Sequence, residues 1–165
     1  MLQFGINIWD KMKFLDIRNQ DKKIRANIIK DFKKNILKGD FILGKKVKDF
    51  EKKFASFCGA KYAIGCANGT DALTISLKSL NLPQDSEVII PAMTYCSTAF
   101  AIINANLIPV LVDIDFLKPT ISINKIKKKI NSKTRVIIPV HLYGSSSDLS
   151  GIKKLINNKN IKIID

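Results

Sequence analysis

The apolar positions of this chain fall into two rhythms, and the rhythm changes at Gly59. From 21 to 38, DKKIRANIIKDFKKNILK sets Ile24, Ile28, Ile29, Phe32 and Ile36 on one helical face, and Gly39 follows as a stop signal. In KKVKDFEKKFASFCG, Val47, Phe50, Phe54 and Phe57 recur at spacings of three, four and three. That pattern predicts a second amphipathic helix closed by Gly59. Aromatics at this spacing belong to a packed face far more often than to a cofactor box.

After Gly59 short continuous apolar runs alternate with helical patterns. KYAIGC reads as a strand, ANGT as a loop, and 71–81 as a helix with Ala72, Leu73, Leu77 and Leu80 inward. EVII is the next strand, and PAMTYCSTAFAIINA is a loop running into a helix. IPVLVDI is a third strand, and INKIKKKI is a helix with Ile123, Ile126 and Ile130 on one side. RVIIPVHL is a fourth strand, DLSGIKKLINN is a helix capped by Asp148 or Ser150, and IKIID is a fifth strand. Unbroken Ile- and Val-rich strands separated by helices predict an α/β fold, a mostly parallel sheet covered on both faces. Residues 1–20 read as an irregular segment, and 21–165 as a single domain without repeats or a low-complexity linker.

Composition narrows the class. The 165 residues are 46% hydrophobic and 25% charged, as expected of a soluble globular protein rather than a disordered one. The longest apolar runs are strand-sized, too short to span a membrane, and MLQFGINIWDKMK lacks the apolar centre of a secretion signal. Three cysteines, Cys58, Cys66 and Cys96, show neither disulfide arithmetic nor metal spacing, which points to a reducing, cytoplasmic setting. The formal charge of +14 suggests an anionic partner. Its lysines are spread over nearly every predicted helix, however, which argues against nucleic acid and fits a small anionic ligand.

In an open α/β sheet, ligands gather beyond the carboxyl ends of the strands. ANGTD, PAMTY, DID and VHLYG all arrive there. Gly69 allows close approach of the backbone, Thr70 offers a hydroxyl, and the amides of Thr70 and Asp71 open a helix N-terminus that suits a phosphate. The same Asn68, Thr70 and Asp71 would also serve simply as helix caps. Tyr95 could lie flat on a planar ring, although a packed Tyr with a satisfied hydroxyl is the commoner use. Asp113 and Asp115, without further ligands, fit a turn better than a metal site. His141, the one histidine, excludes a multi-histidine centre, and a structural role is favoured for it. The serine run at 145–147 reads as loop.

Taken in order, FLDIRNQ, the stretch FILGKKVKDFEKKFASFCGAKYAIGCANGTDALTISLKSL, then EVIIPAMTYCSTAFAIINANLIPVLVDID and IIPVHLYG resemble the amino-terminal half of the DegT/DnrJ/StrS family. Its members are pyridoxal 5'-phosphate-dependent nucleotide-sugar aminotransferases of the aspartate-aminotransferase fold. The resemblance implies that Gly69, Thr70 and the amide of Asp71 hold the cofactor phosphate and that Tyr95 stacks on its pyridine ring. It implies a nucleotide-linked keto sugar and an amino donor such as glutamate as substrates, and a homodimer for the complete protein. The family places an acidic pair after the strand matching IKIID, one member of which binds the ring nitrogen. Asp165 takes the first of the two positions, or the ligand position if the alignment slips by one. The family's cofactor-linked lysine lies farther downstream, and no lysine here sits in a matching motif.

The chain therefore reads as an incomplete large domain, cut before the lysine segment, inactive by itself and weakly stable with KYAIGC unpaired at an edge. Two other readings remain: a sugar dehydratase of the same superfamily, with histidine in place of the lysine, and a non-enzymatic truncated or split product.

Overall fold

In a computed structural model the protein is described over residues 22–39 and 41–165. The segment expected to be irregular, 1–20, lies outside the described residues. Gly65 ends the first of two compact units and Cys66 opens the second.

The first unit holds two helices, α1 (Lys22–Lys38) and α2 (Lys45–Phe57). α1 stops where Gly39 takes φ +65, a conformation free of penalty only for glycine. α2 ends in a Schellman motif: Gly59 (φ +64) donates to Ser56 O (3.2 Å) and Ala60 to Ala55 O (2.9 Å). Lys46 Nζ bonds Asp31 across the two helices at 2.7 Å, and Glu51 accepts the Gly65 amide at 2.7 Å. Both apolar faces form as the spacing predicts, and Phe50 stacks on Phe54 with centroids 5.5 Å apart. Yet Ile24, Ile28, Phe32, Phe50 and Phe57 all stay exposed. An amphipathic pattern fixes which face is sticky, and here nothing among the described residues buries it.

The second unit is a parallel α/β sheet. Its elements are α3 (Gly69–Ser79), β1 (Glu87–Pro91), α4 (Ser97–Asn104), β2 (Ile108–Val112), α5 (Ile123–Lys129), β3 (Thr134–Ile137), α6 (Leu149–Leu155) and β4 (Lys162–Ile163). The strands lie in the order β2-β1-β3-β4, every pair parallel. Continuous apolar runs are needed because both faces are covered. Val88, Ile90, Val136 and Ile138 pack with Leu77 of α3 and Ile102 of α4. Their neighbours Ile89 and Ile137 point the other way, to Ile126 of α5 and Ile152 of α6. Pro109 is accommodated because β2 is an edge strand.

One expected strand does not form. KYAIGC has no ladder partner among the described residues, and Tyr62 and Ile64 are exposed. Strand propensity alone cannot hold a segment whose backbone pairs with nothing. A short 3₁₀ turn at Leu142–Gly144, with Tyr143 at φ 52, was not foreseen in the sequence.

The order places β2 on one side of β1 and β3 on the other. The crossovers diverge there, so the crevice outside the carboxyl ends of β1 and β3 is the topological switch point. α3 delivers the chain to the amino end of β1, so its own start lies toward the opposite, carboxyl edge.

Two predictions follow from this packing. Ile137→Ala, emptying a fully buried position, should lower unfolding stability by about 2–5 kcal/mol, whereas exposed Ile75→Ala should change it by less than about 0.5 kcal/mol, both read by urea denaturation. The hydrogen bond from Lys46 holds the Asp31 carboxyl below the usual carboxylate range. A depressed folded value means the contribution is present at neutral pH and is lost as pH falls through that value. Asp31→Asn should remove this part of the acid-side dependence of Tm, with the effect shrinking in high salt.

Candidate functional site

The start of α3 is built by Asn68. This N-cap residue has extended backbone (φ −162, ψ 174), and its Oδ1 accepts the Asp71 amide at 2.9 Å. Its Nδ2 donates to Asp71 Oδ2 at 3.0 Å, so cap and third residue secure one another. The Ala72 amide donates to Asn68 O at 3.0 Å. Two amides of the first turn remain, those of Gly69 and Thr70, and neither has an acceptor among the described residues.

The sequence left capping and anion holding as alternatives for this turn; the geometry divides the donors between them. Asp71 N–H is consumed by the cap. Gly69 and Thr70 N–H point out of the helix with its positive dipole end behind them. A Cβ at Gly69 would meet nothing within 4 Å, so the backbone is uncrowded on that side. Thr70 is half-buried and its hydroxyl is unengaged among the described residues, while its carbonyl accepts from Thr74 Oγ1 at 2.9 Å.

Tyr95 stands on the loop leaving β1. Its carbonyl accepts the Thr98 amide at 3.0 Å, and Thr94 and Thr98 hydroxyls pair at 3.0 Å, which fixes the loop against α4. The ring itself is 76% exposed, with a free face. The packed alternative considered for this residue is not realised in these surroundings.

Beyond β3 and β4 a second cluster forms. His141 Nε2 lies 2.5 Å from Asp165 Oδ1, and His141 Nδ1 accepts the Ser147 amide at 2.9 Å. Buried Ser147 also donates its hydroxyl to Val140 O at 3.0 Å. Asp113 pairs with Lys125 at 3.0 Å, and Asp115 accepts the Leu117 amide at 3.1 Å, an Asx-type turn. Asp148, one of the two cap candidates, caps α6 by accepting from Gly151 N at 2.8 Å.

Of the residues singled out in the sequence, Gly69, Thr70 and Asp71 thus share one helix start, and Asp165 is joined to His141. Tyr95 is on the same carboxyl edge, linked to neither group by a hydrogen bond. The sequence shows Ser147 only as part of a loop; its role depends on a contact six residues away in a turn that no local pattern announces. Asn68→Ala should cost about 1 kcal/mol by leaving the Asp71 amide without its cap, measured as a lowered Tm.

The sequence profile of the DegT/DnrJ/EryC1/StrS aminotransferase family matches residues 22–165. The chain is 41% identical over 152 residues to the dTDP-3-amino-3,6-dideoxy-alpha-D-galactopyranose transaminase of Aneurinibacillus thermoaerophilus, covering 92% of this chain and 42% of that protein. Its fold superimposes on NtdA of Bacillus subtilis with bound cofactor PMP at a TM-score of 0.86, with 31% identity over 92% of this chain and 35% of the other. The E. coli GDP-4-keto-6-deoxy-D-mannose-3-dehydratase with bound hydrated PLP matches at a TM-score of 0.76 and 27% identity, over 82% of this chain and 36% of the other. The chain spans about two fifths of the length of the curated relatives it matches.

Proposed function

The chain belongs to the DegT/DnrJ/EryC1/StrS aminotransferase family, and from that membership we propose that it is the amino-terminal part of a pyridoxal 5'-phosphate-dependent aminotransferase acting on nucleotide-linked keto sugars. The observation that carries the reading is the pair of unclaimed amides, Gly69 and Thr70, opening α3 at the carboxyl edge of the sheet. They fit a phosphate monoester: two N–H donors and the helix dipole, with the unengaged Thr70 hydroxyl on the same turn, beside an uncrowded Gly69 backbone. Asp71 contributes its amide only if the Asn68 side chain turns away; otherwise it serves by keeping the cap in place.

Tyr95 would stack on the cofactor's pyridine ring, and its exposure leaves the tyrosine face free to do so. Asp165, or the acidic residue following it in the family pattern, belongs to the edge that meets the ring nitrogen. When bound, the cofactor supplies the electron sink that lets an amino group leave a donor such as glutamate and enter a sugar ketone. This chain's residues would bind the phosphate, orient the ring and bring a carboxylate toward its nitrogen. Covalent anchorage and proton transfer at the substrate carbon require the family's lysine, which has no counterpart among the motifs of residues 1–165. The longer enzyme works in the cytoplasm as a homodimer, within the biosynthesis of sugars for surface polysaccharides, other glycans or antibiotics.

The dehydratase reading is the weaker one. Identity to the transaminase of A. thermoaerophilus is 41%, against 27% to the dehydratase.

Titrating the chain with pyridoxal phosphate should give saturable binding, weakened about tenfold by Thr70→Ala and by Tyr95→Ala. Borohydride treatment should fix no cofactor to any single lysine. Undiminished affinity in both variants, or capture on one specific lysine, would contradict the proposal.

A further inference from the structure

His141 is the group around which the second cluster at the carboxyl edge is arranged. Its Nδ1 faces the N–H of Ser147 at 2.9 Å, and a donor in that position requires a lone pair on Nδ1. The ring proton therefore sits on Nε2, directed at Asp165 Oδ1. Ser147 cannot easily yield this amide. The residue is buried, its hydroxyl holds Val140 O at 3.0 Å, and its carbonyl accepts the Leu149 amide at 2.9 Å as α6 begins.

The backbone between the two is bent to make the contact. Tyr143 (φ 52) and Gly144 (φ 79) are consecutive left-handed residues, and at Tyr143 that conformation is unfavourable for a side chain. They turn the chain so that the Ser147 amide comes back to the ring. On the other side, β4 pairs with β3 at Lys162 and Ile163, and Ile164 N bonds Ile137 O at 3.2 Å. The imidazole adds a side-chain clamp on Asp165, just beyond the paired residues of β4.

We propose that His141, fixed as its Nε2–H tautomer by the Ser147 amide, is a positioning residue that clamps the Asp165 carboxylate and so aims the acidic end of β4 at the cofactor ring. The clamp stands on the contacts alone; its purpose toward the ring rests on the aminotransferase reading above.

Two substitutions separate the clamp from a purely structural role in the loop. A glutamine amide reaches about as far as Nε2, and an asparagine amide about as far as Nδ1. His141→Gln keeps a donor for Asp165 but gives up the Ser147 contact, and His141→Asn does the reverse. Nitrogen-15 NMR of the parent chain should show the Nε2–H tautomer. The side-chain carboxyl carbon signal of Asp165 should move in His141→Asn and return toward the parent in His141→Gln. Affinity for pyridoxal phosphate should fall about tenfold in His141→Asn and recover to within about threefold in His141→Gln. An Nδ1–H tautomer, or an Asp165 signal preserved by Asn and lost with Gln, would overturn the clamp. A moved Asp165 signal with unchanged affinity would leave the contact real and refute its role toward the ring, without touching the phosphate seat at α3.

Discussion

Val88, Ile89 and Ile90 are all fully buried although their side chains alternate between opposite faces of the sheet. A strand of that kind is stable only with helices on both sides, and this constraint organises the second unit. α3 and α4 cover one face, α5 and α6 the other, and each crossover returns the chain to the same end of the sheet. Polar loops are thereby collected at the carboxyl edge, while apolar packing holds their roots. Two polar features follow from that arrangement: the free amides of Gly69 and Thr70 start a covering helix, and the His141–Asp165 contact bridges the segments after two adjacent strands.

At the start of α3 the two uses of a helix N-terminus turn out to be compatible. A four-residue turn offers more orphan donors than one cap can satisfy. Asn68 takes one of them, leaving those of Gly69 and Thr70, and its exchange with Asp71 keeps the turn rigid while the free amides stay exposed. A rigid donor pair loses little freedom on binding an anion, which favours affinity without adding a charged side chain. The +14 net charge is therefore not needed to explain this seat, although it adds a long-range attraction for phosphates.

Much of this was legible in the residues. The parallel sheet followed from the unbroken Ile and Val runs, and the capped start of α3 from Asn68-Gly69-Thr70-Asp71, because both depend on neighbours in sequence. KYAIGC misled for the complementary reason: strand identity is settled by a pairing partner, and none of its own residues encodes one. The faces of α1 and α2 were read correctly as apolar stripes, but a stripe does not say what covers it. His141 was recognisable as a polar residue at a strand end, whereas its tautomer depends on Ser147 and on the left-handed turn at Tyr143. Such a contact is set by loop geometry and leaves no periodic trace.

The proposed phosphate seat at α3 is the point most open to a direct test. Amide spectra of nitrogen-15-labelled chain should be recorded during titration with pyridoxal phosphate. The account predicts that the largest shifts fall on Gly69 and Thr70, saturate together, and are accompanied by a smaller change at Tyr95. A basic cleft of about 380 Å³ at the amino edge, lined by Arg135 and Lys159 among others, offers the natural competitor for an anion. Shifts centred there, or spread over the lysines without saturation, would contradict the assignment of α3 as the phosphate seat.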